Sequence, residues 1–433
     1  MIHKVAPATP HVQAHTLLHI HSYTAFDNIH ASFLGHTAMV DFLDNMLPDE
    51  CARMIWAQLQ PKDLRAVMRV SPTWARSATP FFYRAVDIPD AAALGAFLRT
   101  IQQRPDLAAF VRHLRLHQHV SSGPNRPQPL AGPAASLLRS LPALRGLQLE
   151  GRWSGLDALI SSGRLCTPLM DLRTLSLGRQ RQPMSHILPF WALPKVESIR
   201  VRIEALDTAM EEAFTDWPTA PTLAKLDLDY TSLEEKDVAP LLRHSPALKS
   251  FRYDRWCDVS NEPSLQDCDE LGRGLRHLRP TLEHLDLRVQ LFSEYAEEVD
   301  DFHGAEPVRG HLPSLRGFDQ LRTLCLPVVT LLGWTPSEAP DIEMLLPPSL
   351  QRLSLTEDLR TQCMYQWTEE SVLAKLERYF AILGRSPYKL EAIDIYPDGT
   401  WGGWLDETME KVQEMAAAAG VQCNIVDWAH RPH

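Results

Sequence analysis

Glycine, patterned cysteine and long apolar runs are what this chain has little of. Only 20 glycines are spread over 433 residues, against 33 prolines. That excludes a flexible Gly-rich linker protein and implies many punctuated connections. The seven cysteines, Cys51, Cys166, Cys257, Cys268, Cys325, Cys363 and Cys423, are odd in number and form no CxxC pair. They offer no zinc-site spacing and no disulfide framework, and they fit a reducing compartment. No window approaches the roughly 18 apolar residues of a membrane-spanning helix. Residues 1–36 have no basic stretch followed by an unbroken apolar run, so no secretory leader is expected there. Positive charge is in deficit too: 43 Lys and Arg against 54 Asp and Glu leave a net charge of −11. This argues against a general affinity for nucleic acid or an anionic membrane. The expectation is a cytoplasmic protein, with nuclear entry left open.

Catalytic patterns are missing as well. There is no GxSxG, HExxH, P-loop, kinase set or GxGxxG opening a helix. His284 beside Asp286 could imitate a base with its orienting acid, but both project from one segment with no activated nucleophile nearby. No enzyme activity, cofactor or metal is expected.

Hydrophobic residues make up 45% of the chain, enough for a sizeable core. The N-terminal stretch, 1–40, is histidine-rich. His11, His15 and His19 recur at i, i+4 and i+8, which on a helix could hold zinc or copper. A poorly ordered tail with solvated histidines is the plainer reading, since no acid or cysteine joins them.

Residues 41–88 read as three short helices. Leu47-Pro48 leads into the first, with Asp49 and Glu50 near the positive end of its dipole. Pro61 breaks that helix, Ser71 caps the third, and Pro80 should end it. Helices this short are unstable singly and must pack on one another or on a partner.

The order Leu47-Pro48, Ile55, Leu59, Asp63-Leu64, Val67, Val70 and Trp74, ending in Phe82-Tyr83-Arg84-Ala85-Val86, resembles an F-box. It departs from the pattern at Met68-Arg69-Val70 and at Pro72. The resemblance implies binding to a Skp-type adaptor and, through it, to a cullin. It assigns Leu47, Pro48, Ile55, Leu59, Leu64 and Val67 to the docking surface and Trp74 to the module's own core. A plain three-helix cap on the rest of the chain is the alternative.

From residue 89 to the end a hexad, L-x-x-L-x-L with apolar substitutions, recurs ten times. Its copies start at residues 111, 144, 172, 196, 223, 248, 282, 321, 350 and 390. The middle spacings fall in the leucine-rich-repeat range of about 20–29 residues, and the longer ones imply insertions. Each copy makes sense as a parallel strand whose fourth and sixth residues face a core. The third, fifth and seventh would then face out on a concave side. With amphipathic helical stretches between copies, the fold class is α/β: a leucine-rich-repeat solenoid, or horseshoe, preceded by a small all-α F-box-like module. The Asn or Cys that usually follows the hexad is not consistently present. The acid-rich segment Glu294 to Gly310 reads as an inserted loop.

The stretches 331–359 and 404–426 also resemble fungal-type F-box proteins with irregular leucine-rich repeats. The whole resemblance implies a non-catalytic substrate-recognition adaptor of a Skp–cullin–F-box ubiquitin ligase, binding an unidentified protein on the repeats. The alternative is an interaction scaffold that does not engage the ubiquitin system. On the expected concave face stand Arg200, Arg202, Asp227, Asp229, Arg252, Asp254, Asp286 and Arg288. They are a mixed-charge strip that could select a partner or simply be solvated. Tryptophans 153, 191, 217, 256, 334, 367, 401 and 404 fall between hexads, where burial between irregular repeats or a binding role would each account for them.

Overall fold

The computed structural model describes residues 48–117, 131–151, 169–204, 217–258, 266–292, 308–360, 365–383, 388–397 and 404–426. The histidine-rich start, Leu47, Trp153, Trp401, Cys166, Cys363 and most of the acid-rich segment lie outside them. The chain divides into two compact units, Met1–Arg84 and Ala85–His433.

In the first unit α1 (Asp49–Trp56), α2 (Pro61–Val67) and α3 (Pro72–Phe82) pack together. Pro48 is the N-cap of α1, and Pro61 and Pro72 open α2 and α3, where a missing N–H costs nothing. The Ser71 side chain accepts the Trp74 N–H at 3.1 Å, which fixes the start of α3. Pro80 does not end that helix. It sits in the last turn, while the Thr79 hydroxyl donates to the Ala75 carbonyl at 2.6 Å. Ala52, Trp56, Leu64 and Ala78 form the core, with Ile55, Leu59, Val67, Met68, Trp74, Phe81 and Phe82 packed around them. The Trp56 and Trp74 rings meet at 5.3 Å.

Among the described residues, the second unit is built on one sheet of twelve strands in the order β1-β2-β3-β4-β5-β6-β7-β9-β11-β12-β13-β14. The strands are β1 (Ala85–Ile88), β2 (His113–His117), β3 (Gly146–Glu150), β4 (Thr174–Gln182), β5 (Ser198–Ile203), β6 (Lys225–Thr231) and β7 (Ser250–Asp258). After β8 (Gln266–Asp267) come β9 (His284–Phe292), β10 (Val308–Arg309), β11 (Thr323–Pro327), β12 (Arg352–Thr356), β13 (Ala392–Tyr396) and β14 (Gln422–Ile425). Every pairing is parallel, and β8 and β10 pair only with each other. Residues 85–88, which the sequence reading assigned to the helical module, are the first strand of this sheet.

Each hexad becomes one strand, and in all ten the strand begins on the hexad's third residue. The cause is a repeated turn. The carbonyl of the second residue accepts two N–H groups from the next repeat, as when Ala224 accepts from Lys249 and Ser250 at 2.8 and 2.9 Å. The fourth residues then stack in register: Leu226 opposite Phe251, Phe251 opposite Leu285, Leu285 opposite Leu324, Leu324 opposite Leu353. First, fourth and sixth residues are buried throughout. At about 1.5–3 kcal/mol per buried aliphatic side chain, this spine is the main stabilising feature of the unit.

Helices return the chain between strands. Glu235–Arg243 and Cys268–Leu275 approach so closely that a Cβ on Gly274 would stand 2.8 Å from the Ala239 Cα. The helix Asp406–Ala418 ends at Gly420 (φ +75°), which the left-handed turn requires, and β14 follows as the last strand. Among the described residues no helix is long and apolar enough to cross a membrane.

Candidate binding face

The outward positions of the hexads place all eight charged residues singled out from the sequence on one face of β5, β6, β7 and β9. Arg200, Asp227, Arg252 and Asp286 are direct neighbours in register, so cation and carboxylate alternate from strand to strand. Arg200 lies 3.4 Å from both Asp227 and Asp229, and Arg202 lies 3.1 Å from Asp229. Arg252 stands within 3.5–3.9 Å of Asp227, Asp229, Asp254 and Asp286, and Arg288 lies 3.0 Å from Asp286.

The strip was expected to be either a partner-selecting surface or an ordinary solvated face. It is an ion-pair network in which Asp227, Asp229, Asp254 and Arg288 are buried while Arg200 stays exposed. Sequence alternation shows which way a side chain points. It does not show that neighbouring side chains then cover it.

Burial has electrostatic consequences. It pushes the Asp254 carboxyl up to about 6, against the pull of Arg252 and Arg288 and with help from Asp229 and Asp358. Burial raises Asp227 as well, against Arg252 and Arg200. Two buried atoms in the strip, Asp227 Oδ1 and Arg252 Nε, have no hydrogen-bond partner. Between β6 and β7 the register shifts after Leu228, and Tyr230 takes a left-handed φ of 45°. Its ring lies 4.4 Å beneath the Arg202 guanidinium.

Two hollows lie along this face. One, of about 430 Å³, runs across β5 to β13 and is lined among others by Lys225, Arg252, His284, Asp286, Arg352 and Asp394. The other, of about 620 Å³, lies over β3 to β7 and includes Glu150, Gly178, Arg200, Arg202 and Tyr230. Arg352, Ser354, Asp394 and Tyr396 were missed from the sequence, although the same third, fifth and seventh positions of the last two hexads mark them. Arg352 donates to Asp394 at 2.9 Å, and Ser354 and Asn424 complete that carboxylate at 3.2 and 2.8 Å. The candidate pair of His284 and Asp286 finds other partners: His284 Nδ1 meets the Thr323 hydroxyl at 2.5 Å, and Asp286 accepts from Arg288.

Behind the face, Tyr253, the sixth residue of its hexad, points into the core, and its hydroxyl donates to the Leu233 carbonyl at 2.7 Å and to Glu235 at 3.1 Å. Glu235 is ion-paired with buried Arg255 and accepts the Asp267 N–H at 3.2 Å, tying β7, β8 and the 235–243 helix together. Trp191, Trp217, Trp334, Trp367 and Trp404 are buried between strands. Trp256 is not between repeats but on β7, half-buried, with Arg181 3.7 Å over its ring.

In the helical unit the residues assigned to adaptor docking divide. Pro48 is exposed, while Ile55, Leu59 and Val67 are half-buried against the core. Leu64 is only 3% exposed and belongs to that core, so its side chain does not offer docking surface. Met54 at 71% and Val70 at 43%, which were not assigned to docking, are the exposed large apolar side chains among the described residues of this unit.

No family model matches the chain, and no curated protein matches it. Among solved structures, a crystal structure of the Rad7 and Elc1 complex in yeast is similar over 96% of this chain and 98% of that one. The identity is 12% and the TM-score 0.38, a likeness that supports no conclusion about this chain.

Proposed function

We propose that this protein is a non-catalytic, intracellular recognition adaptor. In this reading the helical unit docks a Skp-type adaptor, and through it a cullin, while the repeat face holds a protein substrate. The observation that carries the reading is the apolar exposure of the helical unit. Three short helices with a core of their own leave Met54, Val70 and Pro48 uncovered, beside half-buried Ile55, Leu59 and Val67. Exposed apolar side chains on so small a unit fit a partner that covers them. The F-box-like order of residues says which partner to try first. The strand face suits the other half of the role, because an open row of parallel strands offers a surface to chains rather than enclosing a reaction.

The test is capture of a purified Skp-type adaptor by the full chain at micromolar concentration. Binding is expected for the wild type and its loss for the double substitution Leu47→Ala, Pro48→Ala. A wild-type chain with no affinity for the adaptor contradicts the reading. The burial of Leu64 favours a second one, an interaction scaffold outside the ubiquitin system, because it removes one of the six side chains assigned to docking. In that case deleting 41–84, which leaves the strand Ala85–Ile88 in place, causes aggregation whether or not an adaptor is present.

A further inference from the structure

The ion-pair network of the fifth and seventh hexad positions carries four arginines and four aspartates, so it neutralises itself. The third positions form a separate row. Lys225, Ser250, His284, Thr323 and Arg352 stand opposite one another in register across β6, β7, β9, β11 and β12. Nitrogen bases alternate with hydroxyls along it, and all five line the 430 Å³ hollow. Charge is layered within that hollow. Lys225, Arg200, His284 and Arg352 are exposed along it, whereas of its carboxylates Asp227 and Asp394 are buried and Asp286, paired with Arg288, is half-buried. A ligand arriving from solvent meets Lys225, Arg200 and Arg352 first, with the His284 ring among them, on a chain whose net charge is −11.

From this layering we infer that the hollow takes an extended acidic peptide segment that crosses the strands, with a carboxylate at every third residue. This rests on reading the repeat face as the recognition surface, and it names the chemical class of what is recognised.

The spacing supports a period of three. Neighbouring strands lie about 4.8 Å apart, so Lys225, His284 and Arg352, each two strands from the next, repeat at about 10 Å. A polyproline-II segment rises about 3.1 Å per residue with three residues per turn, which returns a side chain to the same face after about 9 Å. Carboxylates at that interval meet Lys225, His284 and Arg352 in turn. The Ser250 and Thr323 hydroxyls lie between them to serve the peptide backbone.

The test uses the full chain and fluorescein-labelled nonapeptides followed by polarisation at low salt. One peptide repeats Glu-Pro-Ala three times. A second has the same composition with its glutamates adjacent, and a third repeats Lys-Pro-Ala. Saturable binding of the first is expected, at least tenfold tighter than either other peptide. Lys225→Gln with Arg352→Gln should weaken it at least tenfold, and Lys225→Gln alone at least threefold. Lys411→Gln, on the exposed side of the 406–418 helix, should leave it unchanged. Circular dichroism confirms that the variants are folded. No saturable binding of the first peptide, equal affinity for the others, or insensitivity to the Lys225 and Arg352 changes overturns the inference. Adaptor capture is measured separately, so failure here and failure of the adaptor role are distinguishable.

Discussion

Asp254 is 1% exposed, beneath Arg252 and beside Gln290, whose side-chain amide donates to it at 3.4 Å. Its carboxyl titrates near 6 in the folded chain against an ordinary 3.8, so the folded state holds the proton more tightly than the unfolded one. The stabilisation linked to that proton is fully present below about 3.8 and is lost as the pH rises through 6. Two pKa units correspond to about 3 kcal/mol, an upper figure for a group with cationic neighbours. Asp254→Asn removes this dependence. Urea unfolding at pH 4 and pH 7.5 should show the variant gaining about 2 kcal/mol on the wild type at the higher pH. An unchanged difference between the two pH values would sink the assignment. At this scale the sequence was half legible. Alternation at Ser250, Arg252 and Asp254 gave the direction of each side chain. The burial of Asp227, Asp229 and Asp254 in the ion-pair network was hidden, because it depends on which residues of other repeats stand alongside.

At the scale of elements the hexads were legible in full. Ten copies became ten adjacent strands, each starting on the same hexad position, since a periodic apolar spine leaves a parallel ladder few other registers. Less local features were not. Residues 85–88 carry no hexad, yet they pair with β2 because an open sheet edge accepts any extended segment. Pro80 breaks no helix: it costs one i→i−4 bond, and the helix runs two residues further to Phe82. The small two-stranded ladder of β8 and β10 carries no sequence pattern of its own. Gly274 makes the packing of the 235–243 and 268–275 helices measurable. Gly274→Val would press two methyls onto Ala239 and Leu242 and should cost about 2 kcal/mol in urea unfolding, with no change in adaptor capture. A neutral outcome would mean that those helices do not meet there.

At the scale of the whole molecule both units expose apolar side chains, Met170, Met344 and Leu405 in the second, and the contrast lies between the helices and the strand face. The helical unit exposes Met54 and Val70, whereas the outward strand positions of the second unit hold balanced and layered charge. That contrast motivates two separate partners. Amide hydrogen exchange on the full chain, with and without a saturating Skp-type adaptor, tests it most directly. The account predicts slower exchange confined to residues 48–82, strongest around Ala52–Leu59, with β5 to β12 unaffected. Protection on the strands with none on the helices, or no protection anywhere at saturating adaptor, would contradict it.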